Sequence, residues 1–120
     1  MGYGDLKVVA RNSLNQAPPF EVEAEIRHLG ADLRTARLRR NLTLDEVADK
    51  IGVGRRTVSD AEHGKPTTAL VTYAALLWVY NLLDGFGQLA DPSRDTEGMT
   101  LARSTERVRA RSLELLDNDF

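Results

Sequence analysis

LTLDEVADKIGVGRRTVSDAEHG, residues 42–64, is the stretch that decides the fold of this 120-residue chain. Thr43 stands three residues ahead of Glu46, the spacing of a capping box in which each side chain satisfies the other's free backbone amide. Leu42 and Val47 flank that cap at the spacing of a hydrophobic staple. A helix over 44–51 then turns Leu44, Val47, Ala48 and Ile51 to one side. Gly52 follows where a helix must end in a left-handed conformation, which glycine adopts without strain. Three residues later a second helix begins, with Gly54 as its cap and Val53 and Val58 repeating the staple spacing. Val58 and Ala61 face a core, and Gly64 ends the helix. Two short helices joined by a tight glycine turn make a helix-turn-helix unit, with Ala48 small enough for a close crossing.

Upstream, Ile26, Leu29, Leu33, Ala36 and Leu38 give residues 21–40 an apolar helical face, with acids early and arginines late as the helix dipole favours. Gly30 sits inside that run and argues against one unbroken helix. Downstream, helical patterns are predicted at about 68–80 and at 82–90, and Asp91-Pro92 closes the folded part. Residues 1–20 lack helical periodicity and end in Pro18-Pro19. They read as an N-terminal arm, disordered or with a short strand over Leu6–Ala10. Residues 92–120 are charge-rich with thin hydrophobicity. Leu101, Val108 and Leu115 stand seven apart, so this stretch reads as a tail or as a helix that docks on a partner or a second subunit. The expected organisation is an arm (1–20), an all-α helix-turn-helix domain (21–91) and a C-terminal tail or helix (92–120).

Hydrophobic residues make up 42% and charged residues 28% of the chain, an ordinary balance for a folded globular domain. There are no cysteines, which excludes disulfides and thiolate metal sites. No apolar run approaches the length of a membrane span, and no apolar segment follows Met1, so the chain reads as cytoplasmic. The net charge is −2, but it is unevenly spread. Residues 27–65 hold nine Lys and Arg against six Asp and Glu, while the remainder holds seven against twelve. Local field, more than net charge, governs an encounter with phosphates.

The first turn of the second helix points outwards and holds Arg55 and Arg56. In a DNA-binding helix-turn-helix, residues at this place reach base edges in the major groove, and the arginine fork can bridge guanine O6 and N7. Ser59 lies one turn beyond Arg55. Asp60, one turn beyond Arg56, is placed either to accept from a cytosine amino group or to orient Arg56. His63 and Lys65 fall where the phosphate backbone would run, and Thr43 joins the set at the start of the first helix. Ser59, Asp60 and His63 are also the residue types of a hydrolase triad. They share one short helix, however, whereas a triad converges from separate elements, so no catalytic role is expected. Two isolated histidines make no metal site, no phosphate-binding glycine motif appears, and no cofactor is expected.

The segment from about Leu29 to Leu89 resembles the XRE (lambda-repressor-like) family. Its most specific part is RxxxxLTxxEVAxxIGVxxxTVSxxExG, from Arg37 to Gly64. The resemblance implies a compact five-helix bundle flanked by arms, a structural ion pair between Arg37 and Glu62, and base-reading positions at Arg55, Arg56 and Asp60. Leu44 departs from the family, where many members have a glutamine that grips a phosphate. Residues 58–98 are further similar to HipB-like antitoxins, which implies pairing with a HipA-like kinase toxin and repression of the protein's own operon. The expectation is a homodimeric repressor on a palindromic double-stranded operator. Leu76, Leu77, Trp78, Leu82, Leu83 and Phe86 offer more apolar surface than one small bundle needs, and part of it is expected to form the dimer. The alternatives are a stand-alone or phage-type repressor and a protein-interaction module that does not bind DNA.

Overall fold

A computed structural model describes residues 13–118. They form six α-helices: α1 (Ser13–Gln16), α2 (Phe20–Arg39), α3 (Leu44–Ile51), α4 (Arg55–Glu62), α5 (Leu70–Val79) and α6 (Thr96–Asn118). Two short 3₁₀ turns, Phe86–Gln88 and Pro92–Arg94, lie between α5 and α6. Among the described residues there is no strand, and the all-α class expected from the pattern holds. The expected strand at Leu6–Ala10 lies outside the described residues. By contacts the chain divides into two units, the first ending at Leu83 and the second beginning at Asp84.

In the first unit, α3 and α4 pack on each other, α2 packs along α4, and α5 packs against both α3 and α4. The core consists of Leu33, Ala36, Val47, Ala48, Val58, Ala61, Tyr73, Leu76 and Tyr80. Val47, Val58, Ala61 and Leu76 are wholly inaccessible to solvent. Apart from Tyr80, which follows α5, the core residues are the inward positions of α2, α3, α4 and α5, so the three short helices are held by their apolar faces more than by their own propensity.

Helix α2 runs unbroken through Gly30, and the packing explains that glycine. A Cβ at position 30 would lie 2.5 Å from the Ala61 carbonyl oxygen and 2.7 Å from that of Glu62. The backbone at the end of α4 therefore rests directly on α2. Gly64 meets the same constraint from the other side: its φ is +66°, and a Cβ there would come 2.7 Å from the Arg27 Cα. The helix cost of a glycine at position 30 is offset by this close approach.

One polar group is buried at the same crossing. Arg37 Nε donates to Glu62 Oε2 at 2.7 Å and Arg37 Nη2 to Glu62 Oε1 at 3.1 Å, while Nη1 donates to the Leu42 carbonyl at 2.9 Å. Both side chains are almost wholly buried. The hydrogen bonds to Glu62 raise the Arg37 pKa above its ordinary value, so the guanidinium stays charged inside the fold. Beside it, Arg40 donates to the Ala36 and Tyr80 carbonyls and lies over the Tyr80 ring, 5.4 Å from its centroid.

Beyond the unbroken α2, two elements differ from the pattern-based expectation. Residues 13–16 form one helical turn, closed by the Ala17 amide on the Ser13 carbonyl at 2.8 Å before the two prolines stop it. The helix expected over 82–90 contracts to the turn Phe86–Gln88. Asn81 and Gly85 adopt positive φ (58° and 89°), which breaks the helical path on both sides of Leu82–Asp84. In the second unit, residues 96–118 are a continuous helix, one of the two forms expected of this stretch.

Two stability measurements probe this framework. Glu62→Ala leaves a buried guanidinium unpaired and is expected to cost about 3–5 kcal/mol in urea unfolding, whereas Arg37→Met with Glu62→Leu costs far less. Gly30→Ala is expected to lower stability by about 1–3 kcal/mol through overpacking, although alanine is the better helix former. A raised urea midpoint for that variant would mean that α2 and α4 can part without loss.

Candidate nucleic-acid interface

Helix α3 starts as the sequence predicts. Thr43 Oγ1 accepts from the Glu46 amide at 3.1 Å, and Glu46 Oε1 accepts from the Thr43 amide at 3.0 Å. Those bonds hold the Glu46 carboxyl below its usual pKa range. Gly52 takes the left-handed conformation at φ 76°, and the Gly52 and Val53 amides both bond to the Ala48 carbonyl. The chain then turns through Val53-Gly54 into α4. Gly54 caps α4 with no side chain, so the first-turn amides of α4 have no side-chain acceptor.

The first two turns of α4 line an open groove of about 550 Å³ together with the start of α3 and the loop after α4. Its walls are Leu44, Arg55, Arg56, Ser59, Asp60, His63 and Lys65. Six of the seven residues singled out in the sequence thus meet on one surface. Thr43, the seventh, lies outside the groove walls with its oxygen committed to the cap. Leu44, the departure from the family pattern, contributes an apolar wall in place of an amide.

The charges in the groove are partly paired. Lys65 Nζ lies 3.0 Å from Asp60 Oδ1, so Asp60 turns to Lys65 and not to Arg56. Arg55 Nη1 lies 3.9 Å from Asp45 Oδ2, with both side chains about two-thirds exposed. Pairs of this exposure are weak and exchange readily for another acceptor. Arg56 is exposed and makes no ion pair among the described residues. Sequence reasoning missed Asp45. Its signal was its place in the first turn of α3, which the glycine turn brings beside the first residue of α4.

His63 Nδ1 lies 2.7 Å from the Ser59 carbonyl oxygen. A carbonyl only accepts, so Nδ1 carries the hydrogen and, in the neutral ring, Nε2 is left as an acceptor. The His63 ring thus engages the Ser59 backbone and Asp60 engages Lys65. The relay of a hydrolase triad is not formed, despite the residue types. Among the described residues, no group of three or more His, Cys, Asp or Glu is placed to hold a metal ion. Among the same described residues, no helix is long and apolar enough to cross a membrane.

What this surface offers is a shallow face about two helical turns long, rimmed by two guanidiniums and an ammonium, with a hydroxyl, a carboxylate and an imidazole between them. Comparison with known proteins adds one likeness. No curated protein matches the chain. Residues 28–85 match the family described as "Helix-turn-helix domain". That span runs from the middle of α2 to Gly85 and contains the whole groove, so the likeness to a helix-turn-helix domain covers every groove residue.

Proposed function

We propose that this protein is a sequence-specific DNA-binding repressor in which α4 is the recognition helix. The observation that carries this reading is the groove: Arg55, Arg56, Ser59, Asp60, His63 and Lys65 share one open face along α4 and the loop after it, on a helix whose C-terminal end is locked by Glu62 and Gly64. On this reading Arg55 and Arg56 contact base edges and supply sequence preference. Lys65, the His63 ring and the Thr43 hydroxyl lie toward the phosphates and supply affinity. Binding exchanges the weak Asp45–Arg55 pair for a base or phosphate acceptor. The chemistry is recognition, with no catalytic step.

The reading includes a homodimer on a palindromic site, with two recognition helices about 34 Å apart in successive major grooves. Its support is α5, whose ten residues include no charged side chain. Leu76 is buried in the core, but Trp78 is 65% exposed and Val71 74% exposed. Large Val71 and Trp78 flank small Ala74 and Ala75 along that stripe. Such a surface is complementary to a second copy of itself and meets no like charge there. The likeness of residues 58–98 to HipB-like antitoxins makes a HipA-like kinase the natural further partner, and co-purification with such a kinase separates that role from a stand-alone repressor.

Selection from a randomised duplex pool, followed by anisotropy titration in rising salt, tests the groove. The wild type is expected to enrich one symmetric motif. Arg55→Ala/Arg56→Ala is expected to lose about 2–6 kcal/mol on that motif while keeping most of its affinity for random DNA. Equal weak binding to every duplex, unchanged in the variant, would replace this reading with a protein-interaction module. For the dimer, sedimentation equilibrium is expected to show Trp78→Ala weakening self-association by about 2 kcal/mol or more. A wild-type chain that stays monomeric at micromolar concentration would remove the two-fold geometry.

A further inference from the structure

Helix α6 carries a charge pattern that the groove does not use. Arg103, Arg107 and Arg111 stand four residues apart on this 23-residue helix. At that spacing they fall within an arc of about 80° and span about 12 Å of helix axis. All three are exposed, and among the described residues none makes an ion pair. Like charges four apart repel each other and work against the helix that holds them. Two acids border the stripe, Glu106 three residues beyond Arg103 and Glu114 three beyond Arg111, and neither is within ion-pair distance of an arginine among the described residues. Ser104 lies beside Arg107 and Arg111 on the same shallow surface.

We propose that this stripe is a second, sequence-independent contact to DNA, with Arg103, Arg107 and Arg111 each taking a phosphate along one strand. This rests on the DNA-binding reading of the groove and adds a site to it. Three features select the phosphodiester backbone. Every cation in the line is arginine, whose planar fork takes two phosphate oxygens at once. Their even spacing along a straight rod suits a partner with evenly spaced charge. Over about 12 Å a DNA strand carries three to four phosphates at about 3.4 Å of axis each. A lipid surface is a poorer match. The apolar side of α6 has no aromatic residue, and Thr105 and Ser112 interrupt its line of Leu101, Val108 and Leu115.

The test is Arg103→Ala/Arg107→Ala/Arg111→Ala in the full chain. Alanine favours helix, so circular dichroism is expected to show α6 retained. Binding to a random duplex of about 30 base pairs is then measured across a salt series, and the log–log slope is expected to become shallower by about two to three per chain. Affinity for the selected motif and for random DNA should fall by the same factor, leaving their ratio unchanged. A wild-type slope in the variant would overturn the proposal. So would a loss confined to binding of phosphatidylglycerol vesicles, which would assign the stripe to a membrane surface. The two readings fail differently. If the groove does not read sequence, no motif is enriched yet the triple variant still flattens the slope. If the stripe does not touch phosphate, the motif is enriched and the slope stays as it was.

Discussion

The Arg37 guanidinium holds three parts of the helix-turn-helix in one geometry, and the rest of the first unit is arranged around it. Two of its nitrogens bond to Glu62, the last residue of α4, and the third to the carbonyl of Leu42, the residue before the cap of α3. Helix α2 is thereby tied both to the start of one short helix and to the end of the other. A buried ion pair adds little net stability compared with apolar side chains of the same volume. Its effect is on geometry, because only one relation of the three segments leaves no donor or carboxylate oxygen unsatisfied.

That relation demands an unusually close approach of backbones. Glu62 can reach Arg37 only where the last turn of α4 lies on α2, and there the carbonyls of residues 61 and 62 occupy the space of a Cβ at position 30. Gly64 then turns the chain away past Arg27 in a left-handed conformation. With its C-terminal end clamped in this way and Val58 and Ala61 held in the core, α4 presents only its Arg55, Arg56, Ser59 and Asp60 face to the groove. A recognition surface gains from being built on such an element, since little side-chain and backbone freedom remains to be lost on binding.

The groove is not uniformly basic. Asp45 and Asp60 stand beside Arg55 and Lys65, so a partner must offer each cation something better than an exposed carboxylate. On the proposed reading this weakens the sequence-independent term and leaves more of the discrimination to the base edges. Helix α5 shows a comparable division of labour in apolar form. Thr72, Tyr73 and Leu76 are buried, while Val71 and Trp78 face solvent. Ten residues with no charge are more than one side of a core requires.

In α3 and α4, what is governed by contacts within four residues was legible in the sequence. The capping box at Thr43 and Glu46, the left-handed stop at Gly52 and the limits of α3 and α4 follow from local hydrogen bonds and sterics, and the structure reproduces them. The six residues that share the groove were legible for the same reason, since two short helices with a fixed turn leave little choice of outward face. Pairings across the fold were not. Gly30 read as a weak point in a helix because the carbonyls that require it lie some thirty residues away. Asp45 meets Arg55 only once the turn has brought two helix starts together. Asp60 had an obvious partner one turn back in Arg56. The left-handed turn at Gly64 instead folds Lys65 onto the end of α4, where its amide bonds to the Asp60 carbonyl at 3.1 Å and its ammonium takes the carboxylate. Local spacing permitted either partner for Asp60, and the path of the chain beyond the helix decided between them.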